Sequence, residues 1–114
     1  MRAFPLMVLT LVGAATPALA ADRTGYSQIA AGNMTAAEQR IVAERRIFPD
    51  RPELMLNLAA VYRHTGREAD ARALYAAVLA KPAVALDTPS GAVMSSHDLA
   101  DRALARFAPQ IATR

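Results

Sequence analysis

Four consecutive residues near the C-terminus, Ser95, Ser96, His97 and Asp98, are of the types that form a nucleophilic triad. In such a triad a base takes the proton of the serine hydroxyl while a carboxylate orients the base, so the three side chains must lie along one line. Adjacent residues at the start of a helix do not meet this requirement. We therefore predict that Ser96 caps a helix, that Asp98 in the first turn favours the helix dipole, and that no residue here is catalytic.

Metal and cofactor chemistry has little support in the sequence. His64 and His97 are the two histidines, and no carboxylate follows either at the spacing of a zinc motif. The chain has no cysteine, which excludes disulfides, thiolate zinc sites and a lipid-modified cysteine. The sequence also lacks a Gly-rich phosphate loop. We expect no metal, no cofactor and no small-molecule substrate, and we expect that the protein is not an enzyme.

The composition indicates one small helical domain. The chain has 114 residues, of which 27 are alanine and only five are glycine. Alanine has the highest helix propensity and loses no side-chain entropy in a helix, so this composition favours closely packed helices over a β-sandwich. The net charge of +3 is small and no basic run exceeds Arg45-Arg46, so nucleic-acid binding is not indicated.

The N-terminal segment has the layout of a secretory signal peptide. A short basic start, an apolar stretch and a segment of small residues follow one another over residues 1–20, and Ala18 and Ala20 form a small-x-small cleavage site. Cleavage after Ala20 leaves 94 residues in an exported compartment such as the bacterial periplasm. The alternative is an uncleaved anchor, because residues 3–21 carry no charge and approach the ~20 residues of a membrane span.

Apolar residues recur with helical spacing through the remainder of the chain, and breakers divide it. A capping box of Thr35 and Glu38 predicts that a helix begins there. Gly32-Asn33, the proline-flanked residues 49–52, Gly66 and Pro82 are predicted to end or separate helices. The predicted helices cover residues 26–31, 35–48, 53–65 and 67–80.

Residues 83–95 differ from the rest of the chain. Two short apolar runs, residues 83–86 and 92–94, are separated by turn-forming residues 87–91. A β-hairpin and an extended loop are equally compatible with this pattern. A last helix within residues 96–108 then carries an apolar stripe and is predicted to cap the preceding helices.

The spacing of residues 52–82 resembles the 34-residue tetratricopeptide repeat, a helix–turn–helix with the pattern W-x2-L-G-x2-Y, A-x3-F and P. The pattern maps onto Met55, Leu58, Ala59 and Tyr62, then Gly66 at the turn, then Ala71 and Tyr75, and finally Pro82. Gly32, Ala37 and Ile41 precede Gly66, Ala71 and Tyr75 by 34 residues. Residues 24–82 therefore resemble two repeats, the first with a truncated first helix. The alternative is a generic antiparallel helical bundle.

The resemblance implies an all-α solenoid and assigns roles to particular residues. The repeat core is implied to consist of Met55, Leu58, Ala59, Tyr62, Gly66, Ala71 and Tyr75, and we expect Leu58, Ala59, Tyr62, Ala71 and Tyr75 to be buried. In this family the first helix of each repeat lines a groove that binds peptides or protein segments. Carried onto this sequence, the groove residues are Glu53, Leu56, Asn57, Ala60, Arg63 and His64. The family position of Asn57 implies a bond to a ligand backbone, and Arg63 is a candidate partner for an acidic group.

Two functional hypotheses follow. The first is an exported interaction module that binds a protein or peptide partner through the helix at residues 53–65. The second is a structural protein that forms a homodimer, because two repeats are fewer than the three that usually bury a continuous core.

Overall fold

The computed structural model describes residues 24–107, and the predicted signal segment with Ala18 and Ala20 lies outside them. The described part is mostly helical and contains one small antiparallel sheet, so the predicted helical fold class is confirmed at this level. The hairpin, one of the two alternatives for residues 83–95, is present. In chain order the elements are α1 (Tyr26–Ala30), α2 (Met34–Ile47), α3 (Pro52–His64), α4 (Glu68–Leu79), β1 (Ala85–Asp87), β2 (Val93–Ser95) and α5 (Ser96–Ala105).

The turn between α1 and α2 is repeated between α3 and α4. Gly32 and Gly66 both have a φ of +81°, a left-handed conformation that glycine adopts without a steric penalty. In the first turn the N–H of Asn33 donates to the carbonyl of Gln28 at 2.8 Å. In the second turn the N–H of Arg67 donates to the carbonyl of Tyr62, also at 2.8 Å. These six-residue closures end α1 and α3 in the same way and turn the chain back.

The predicted capping box at the start of α2 is wrong. The helix begins at Met34, and Asn33 is its N-cap, with Oδ1 accepting a hydrogen bond from the N–H of Ala36 at 3.2 Å. Thr35 therefore lies inside the first turn, where it cannot act as the cap. The left-handed Gly32 places Asn33 at the cap position, two residues before the position that the Thr-x-x-Glu pattern indicates.

The central helix α3 is buried on two adjacent sides. Its Leu54, Leu58 and Val61 pack against α2 in a first cluster, and its Met55 and Ala59 pack against α4 and α5 in a second cluster. The first cluster consists of Ala37, Ile41, Leu54, Leu58 and Val61. The second consists of Met55, Ala59, Ala71, Tyr75, Val78, Ala100, Ala103 and Phe107.

Four of the five residues expected to be buried are so: Leu58, Ala59, Ala71 and Tyr75. Tyr62 is not fully buried, because the turn after α3 leaves one face of its ring to a polar neighbour. The guanidinium of Arg67 lies over that ring, 4.4 Å from its centroid. Tyr62 nevertheless packs against both clusters and links them.

Arg67 also joins the second turn to α2. Its Nη1 donates to Oε2 of Glu38 at 3.1 Å, and its Nη2 donates to Oε1. The hydrogen bonds from Arg67 lower the pKa of the Glu38 carboxyl below its ordinary value, because they stabilise the carboxylate form. Glu38 therefore links α2 to the turn that follows α3, in place of the predicted bond to its own helix end.

The hairpin follows α4 directly. Its register pairs Ala85 with Ser95, Leu86 with Met94 and Asp87 with Val93. Gly91 in the turn has a φ of +91°, and the hydroxyl of Thr88 donates to the carbonyl of Ala92 at 2.8 Å. A two-stranded hairpin alone is marginally stable in water, so its contacts with the helices matter.

The last helix begins one residue earlier than expected, and Ser95, not Ser96, is its N-cap. The hydroxyl of Ser95 accepts hydrogen bonds from the N–H groups of His97 and Asp98 at 3.0 and 3.3 Å. Ser96 is fully buried, and its Oγ accepts from the N–H of Val84 at 3.0 Å. Because Ser96 is held by the hairpin, the hydroxyl before it becomes the cap. Through Ala100, Ala103 and Phe107 the C-terminal segment joins the second cluster.

Candidate functional site

Four of the six predicted groove residues line one cleft of about 850 Å³. They are Glu53, Leu56, Asn57 and Ala60, which share one side of α3 because they are spaced three or four residues apart. All four are half-buried. Arg63 and His64, at the C-terminal end of the same helix, do not line this cleft. The position of Arg63 therefore gives no support to its predicted pairing with an acidic ligand group in the groove.

The walls of the cleft come mainly from alternate helices. Besides α3, the lining includes Tyr26 and Ile29 of α1 and Leu99 and Ala103 of α5. The intervening helix α4 contributes Tyr75, which also belongs to the second cluster. The cleft is therefore built on the first helix of each helical pair and on α5.

The hairpin closes one side of the cleft. Residues 85–89, which comprise β1 and the start of its turn, line the cleft, whereas no residue of β2 does. Two hydrogen bonds hold the hairpin at its base. The N–H of Ser96 donates to the Val84 carbonyl, and the N–H of Val84 donates to Oγ of Ser96. Within the same region, Nε2–H of His97 donates to the carbonyl of Lys81 at 2.6 Å. The fixed base holds β1 in the lining of the cleft.

Asn57 bonds a backbone carbonyl within the chain. Its Nδ2 donates to the carbonyl of Thr24 at 2.9 Å, across 33 residues of sequence. Thr24 immediately precedes the left-handed Gly25, and both precede α1. The side chain predicted to bond a ligand backbone thus fixes the entry of α1 at the edge of the cleft.

The charges in the cleft are acidic. Among its lining residues in the described part of the chain, Glu53 and Asp87 are charged, and Lys and Arg do not occur. The remaining lining is largely apolar, with Thr24, Asn57 and Thr88 as polar residues. Such a surface is complementary to an apolar ligand that carries positive charge.

The residues that resembled a catalytic run do not converge. Ser95 caps α5, Ser96 bonds the hairpin backbone and the His97 ring bonds the Lys81 carbonyl. Asp98 is exposed in the first turn of α5. Within residues 24–107, no group of three His, Cys, Asp or Glu side chains is placed to hold a metal ion. None of the helices described is both long and apolar enough to span a membrane.

A second, smaller depression of about 460 Å³ lies on the outer surface of α2. It is lined by Thr35, Glu38, Gln39, Val42, Ala43 and Arg46. A single helix supplies all of these residues, and Glu38 is already bonded to Arg67. The larger cleft, which several elements form together, is therefore the stronger candidate site.

The sequence patterns did not predict that α1, α5 and the hairpin contribute to the cleft. Leu99 and Ala103 belong to the apolar stripe of the last helix, and their spacing of four residues places them on one face. That stripe indicated burial, but it did not show which neighbour would leave part of it open. Comparison with known proteins finds no matching family model, and no match among curated proteins or solved structures.

Proposed function

We propose that this protein is an exported interaction module of tetratricopeptide type that binds a protein or peptide segment in the cleft between α1, α3, α5 and the hairpin. The observation that carries the proposal is the cleft itself. It combines four residues that the repeat pattern assigns to a ligand groove with lining from alternate helices. Clefts of this size with an apolar lining and a few polar groups are common ligand sites.

The 34-residue equivalence of the two helical pairs supports the repeat assignment. The turns at Gly32 and Gly66 have the same φ and the same closing hydrogen bond. Ala37 and Ala71, one repeat apart, are both fully buried. Ile41 and Tyr75, also one repeat apart, are buried as well, Ile41 in the first cluster and Tyr75 in the second.

The ends of the stack favour a binding module over an open-ended assembly. The outer surface of α5 exposes Asp98, Asp101 and Arg102, and that of α2 exposes Thr35 and Gln39. Terminal repeats with polar outer faces stop a solenoid from stacking further. In this proposal the protein acts by contact with its partner, without catalysis, in an exported compartment such as the periplasm.

The proposal can be tested by crosslinking in the cell envelope, with variants of two alanines. Ala60→Lys places a long side chain in the cleft, whereas Ala76→Lys makes the same change on the exposed side of α4. We expect the first variant to lose a crosslinked partner that the wild type and the second variant both retain. Circular dichroism must show equal helix content in both variants. Equal recovery of every partner by the two variants would contradict the assignment of the cleft.

Self-association is the second candidate, and one exposed apolar pair favours it. Ile47 and Phe48, at the end of α2, have 66% and 37% of their surface exposed. The guanidinium of Arg51 covers one face of the Phe48 ring at 4.3 Å, but Ile47 is uncovered within the described chain. Sedimentation of the wild type and of Ile47→Lys at tens of micromolar decides this point. If the wild type and the variant both sediment as monomers, the homodimer hypothesis is wrong.

A further inference from the structure

Within residues 24–107, β1 pairs with β2 on one edge only, and the hydrogen-bond pattern shows which main-chain groups lie on the other edge. The N–H of Ser96 donates to the carbonyl of Val84 at 2.8 Å, and the N–H of Thr88 donates to the carbonyl of Ala92 at 2.9 Å. In an antiparallel pair, hydrogen-bonded and non-hydrogen-bonded residue pairs alternate. The pairs of Ala85 with Ser95 and of Asp87 with Val93 are therefore non-hydrogen-bonded. The N–H and carbonyl groups of Ala85 and Asp87 consequently point away from β2.

The cleft lies along this other edge of β1. Side chains of successive strand residues point to opposite faces of a sheet. Ala85, Leu86 and Asp87 are successive, yet all three line the cleft, while β2 contributes no lining residue. A cavity that touches both faces of β1 and avoids β2 must meet the strand at its outer edge. Two donors and two acceptors of the β1 backbone are thus presented to whatever fills the cleft.

The charges beside this edge determine what kind of segment fits. Asp87 is on β1 itself, and Glu53 lies across the cleft on α3. The apolar lining, including Leu56, Leu86 and Leu99, favours apolar side chains next to the charged one. Unpaired backbone edges are templates on which another chain adds as a strand.

We propose that the cleft binds an extended segment of a partner protein as a third strand on β1, and that this segment carries a lysine or arginine flanked by apolar residues. This inference rests on the proposed function, since it names the chemistry and binding mode of the same cleft. The backbone of Ala85 and Asp87 supplies the ladder bonds. The carboxylates of Glu53 and Asp87 receive the cationic side chain, and the apolar walls receive its neighbours.

Selection of peptides tests the chemical preference. A random library of end-capped seven-residue peptides is selected on the exported protein purified from a bacterial host that expresses the full chain. We expect enriched sequences with a lysine or arginine between apolar residues. The proposal is overturned if acidic sequences are enriched, or if no sequence is enriched. For the best peptide, Glu53→Gln with Asp87→Asn should weaken binding about 3- to 10-fold at about 0.15 M salt, as expected for two partly exposed ion pairs.

A matched variant separates local from general charge effects. Glu44→Gln with Asp101→Asn removes the same charge from side chains that do not line the cleft, and at about 0.15 M salt it should leave the affinity within about twofold, because salt screens charges that do not contact the ligand. Equal weakening by both double variants would show that the two cleft carboxylates do not contact the ligand's cation.

Amide hydrogen exchange, resolved by NMR, tests strand addition. On binding of the selected peptide, we expect exchange of the Ala85 and Asp87 amides to slow at least tenfold, since they gain hydrogen-bond acceptors. N-methylation of the peptide amides, one at a time, should weaken binding at every second position only, because a strand directs alternate N–H groups to one edge.

The two proposals fail in different ways. If the amide signals of Leu56 and Ala60 shift while exchange at Ala85 and Asp87 is unchanged, the cleft binds the peptide but strand addition is wrong. If those two amides are already protected in the free protein, the edge is filled by the chain itself or by a second copy, and the third-strand proposal falls. If no cleft signal shifts with any selected peptide, the proposed function fails as well.

Discussion

Replacement of Gly25 by alanine should destabilise the protein severely, for two separable reasons. Gly25 has a φ of +76°, which residues with a Cβ rarely adopt, and it is buried before the start of α1. A Cβ built on it would lie 2.5 Å from Cγ1 and 2.7 Å from Cδ1 of Ile41. Because Ile41 is fully buried in the first cluster, its side chain has little room to move away.

The size of the effect follows from these two terms. The left-handed conformation costs a non-glycine residue about 1–2 kcal/mol, partly offset by about 0.4–1 kcal/mol from the stiffer unfolded chain. Overpacking of a core contact adds about 1–3 kcal/mol. We therefore expect Gly25→Ala to lower the free energy of unfolding by about 2–4 kcal/mol. For a domain of this size that corresponds to a fall of at least about 10 °C in Tm.

Gly32 provides the matched control. Its φ is +81°, but a Cβ there would meet no atom within 4 Å. Gly32→Ala should therefore show the backbone effect alone, about 1 kcal/mol. Urea unfolding followed by circular dichroism, in a stabilising osmolyte if needed, measures both variants. Equal losses in the two variants would refute the reasoning, because the contact with Ile41 would then be of no consequence.

A double-mutant cycle isolates the contact itself. Ile41→Ala removes Cγ1 and Cδ1, the two atoms that the new Cβ would meet. In that background Gly25→Ala should cost only about 1 kcal/mol, which gives a coupling of about 1–3 kcal/mol. Additive losses would contradict the proposed clash.

Three further predictions concern single polar contacts. Asn57→Ala removes the hydrogen bond to the Thr24 carbonyl; we expect a loss of about 0.5–1.5 kcal/mol and faster amide exchange in α1 but not in α4. Ser95→Ala removes the N-cap of α5 and should cost about 1 kcal/mol in urea unfolding, with the amides of His97 and Asp98 exchanging faster because they lose their acceptor. The bonds from Arg67 lower the Glu38 pKa below 4.5, so their contribution is fully present above that pH and is lost as the pH falls through the folded-state pKa. The stability difference between wild type and Glu38→Gln should therefore shrink below about pH 4.5, and a difference that grows on acidification would contradict this sign.

Local patterns predicted the helices well and their partners less well. The spacing around Met55 and Leu58 indicated one buried stripe on α3, but a second stripe through Leu54 and Val61 is buried too. A single helix buried on two sides has neighbours on both, which periodicity within that helix does not report. The breakers at Gly32 and Gly66 were reliable because a left-handed turn is a property of a few adjacent residues.

Long-range choices were not readable from local sequence. Glu38 satisfied the capping-box pattern, yet it bonds Arg67, 29 residues away, because chain packing brings a guanidinium to it. Asn57 lines the cleft, but its hydrogen-bond partner, the Thr24 carbonyl, depends on where α1 enters. The walls of the cleft from α5 and β1 likewise depend on how the helical pairs stack. The repeat pattern predicted which side of α3 lines the cleft for four of six residues, and the stacking of the other elements determined the rest of the cleft.

The sharing of Tyr62 and Leu74 between the two clusters has a consequence for cooperativity. The first cluster joins α2 to α3, and so joins the two helical pairs, whereas the second joins α3 to α4 and α5; these two side chains pack against both. In a stack of this kind, stability depends on the interface between units as well as on each unit, so weakening the interface lets the halves unfold separately. The cleft crosses that interface, because Ile29 of the first helical pair and Leu56 of the second both line it. A bound partner would therefore contact both helical pairs. Its binding would suppress partial unfolding at the interface between them.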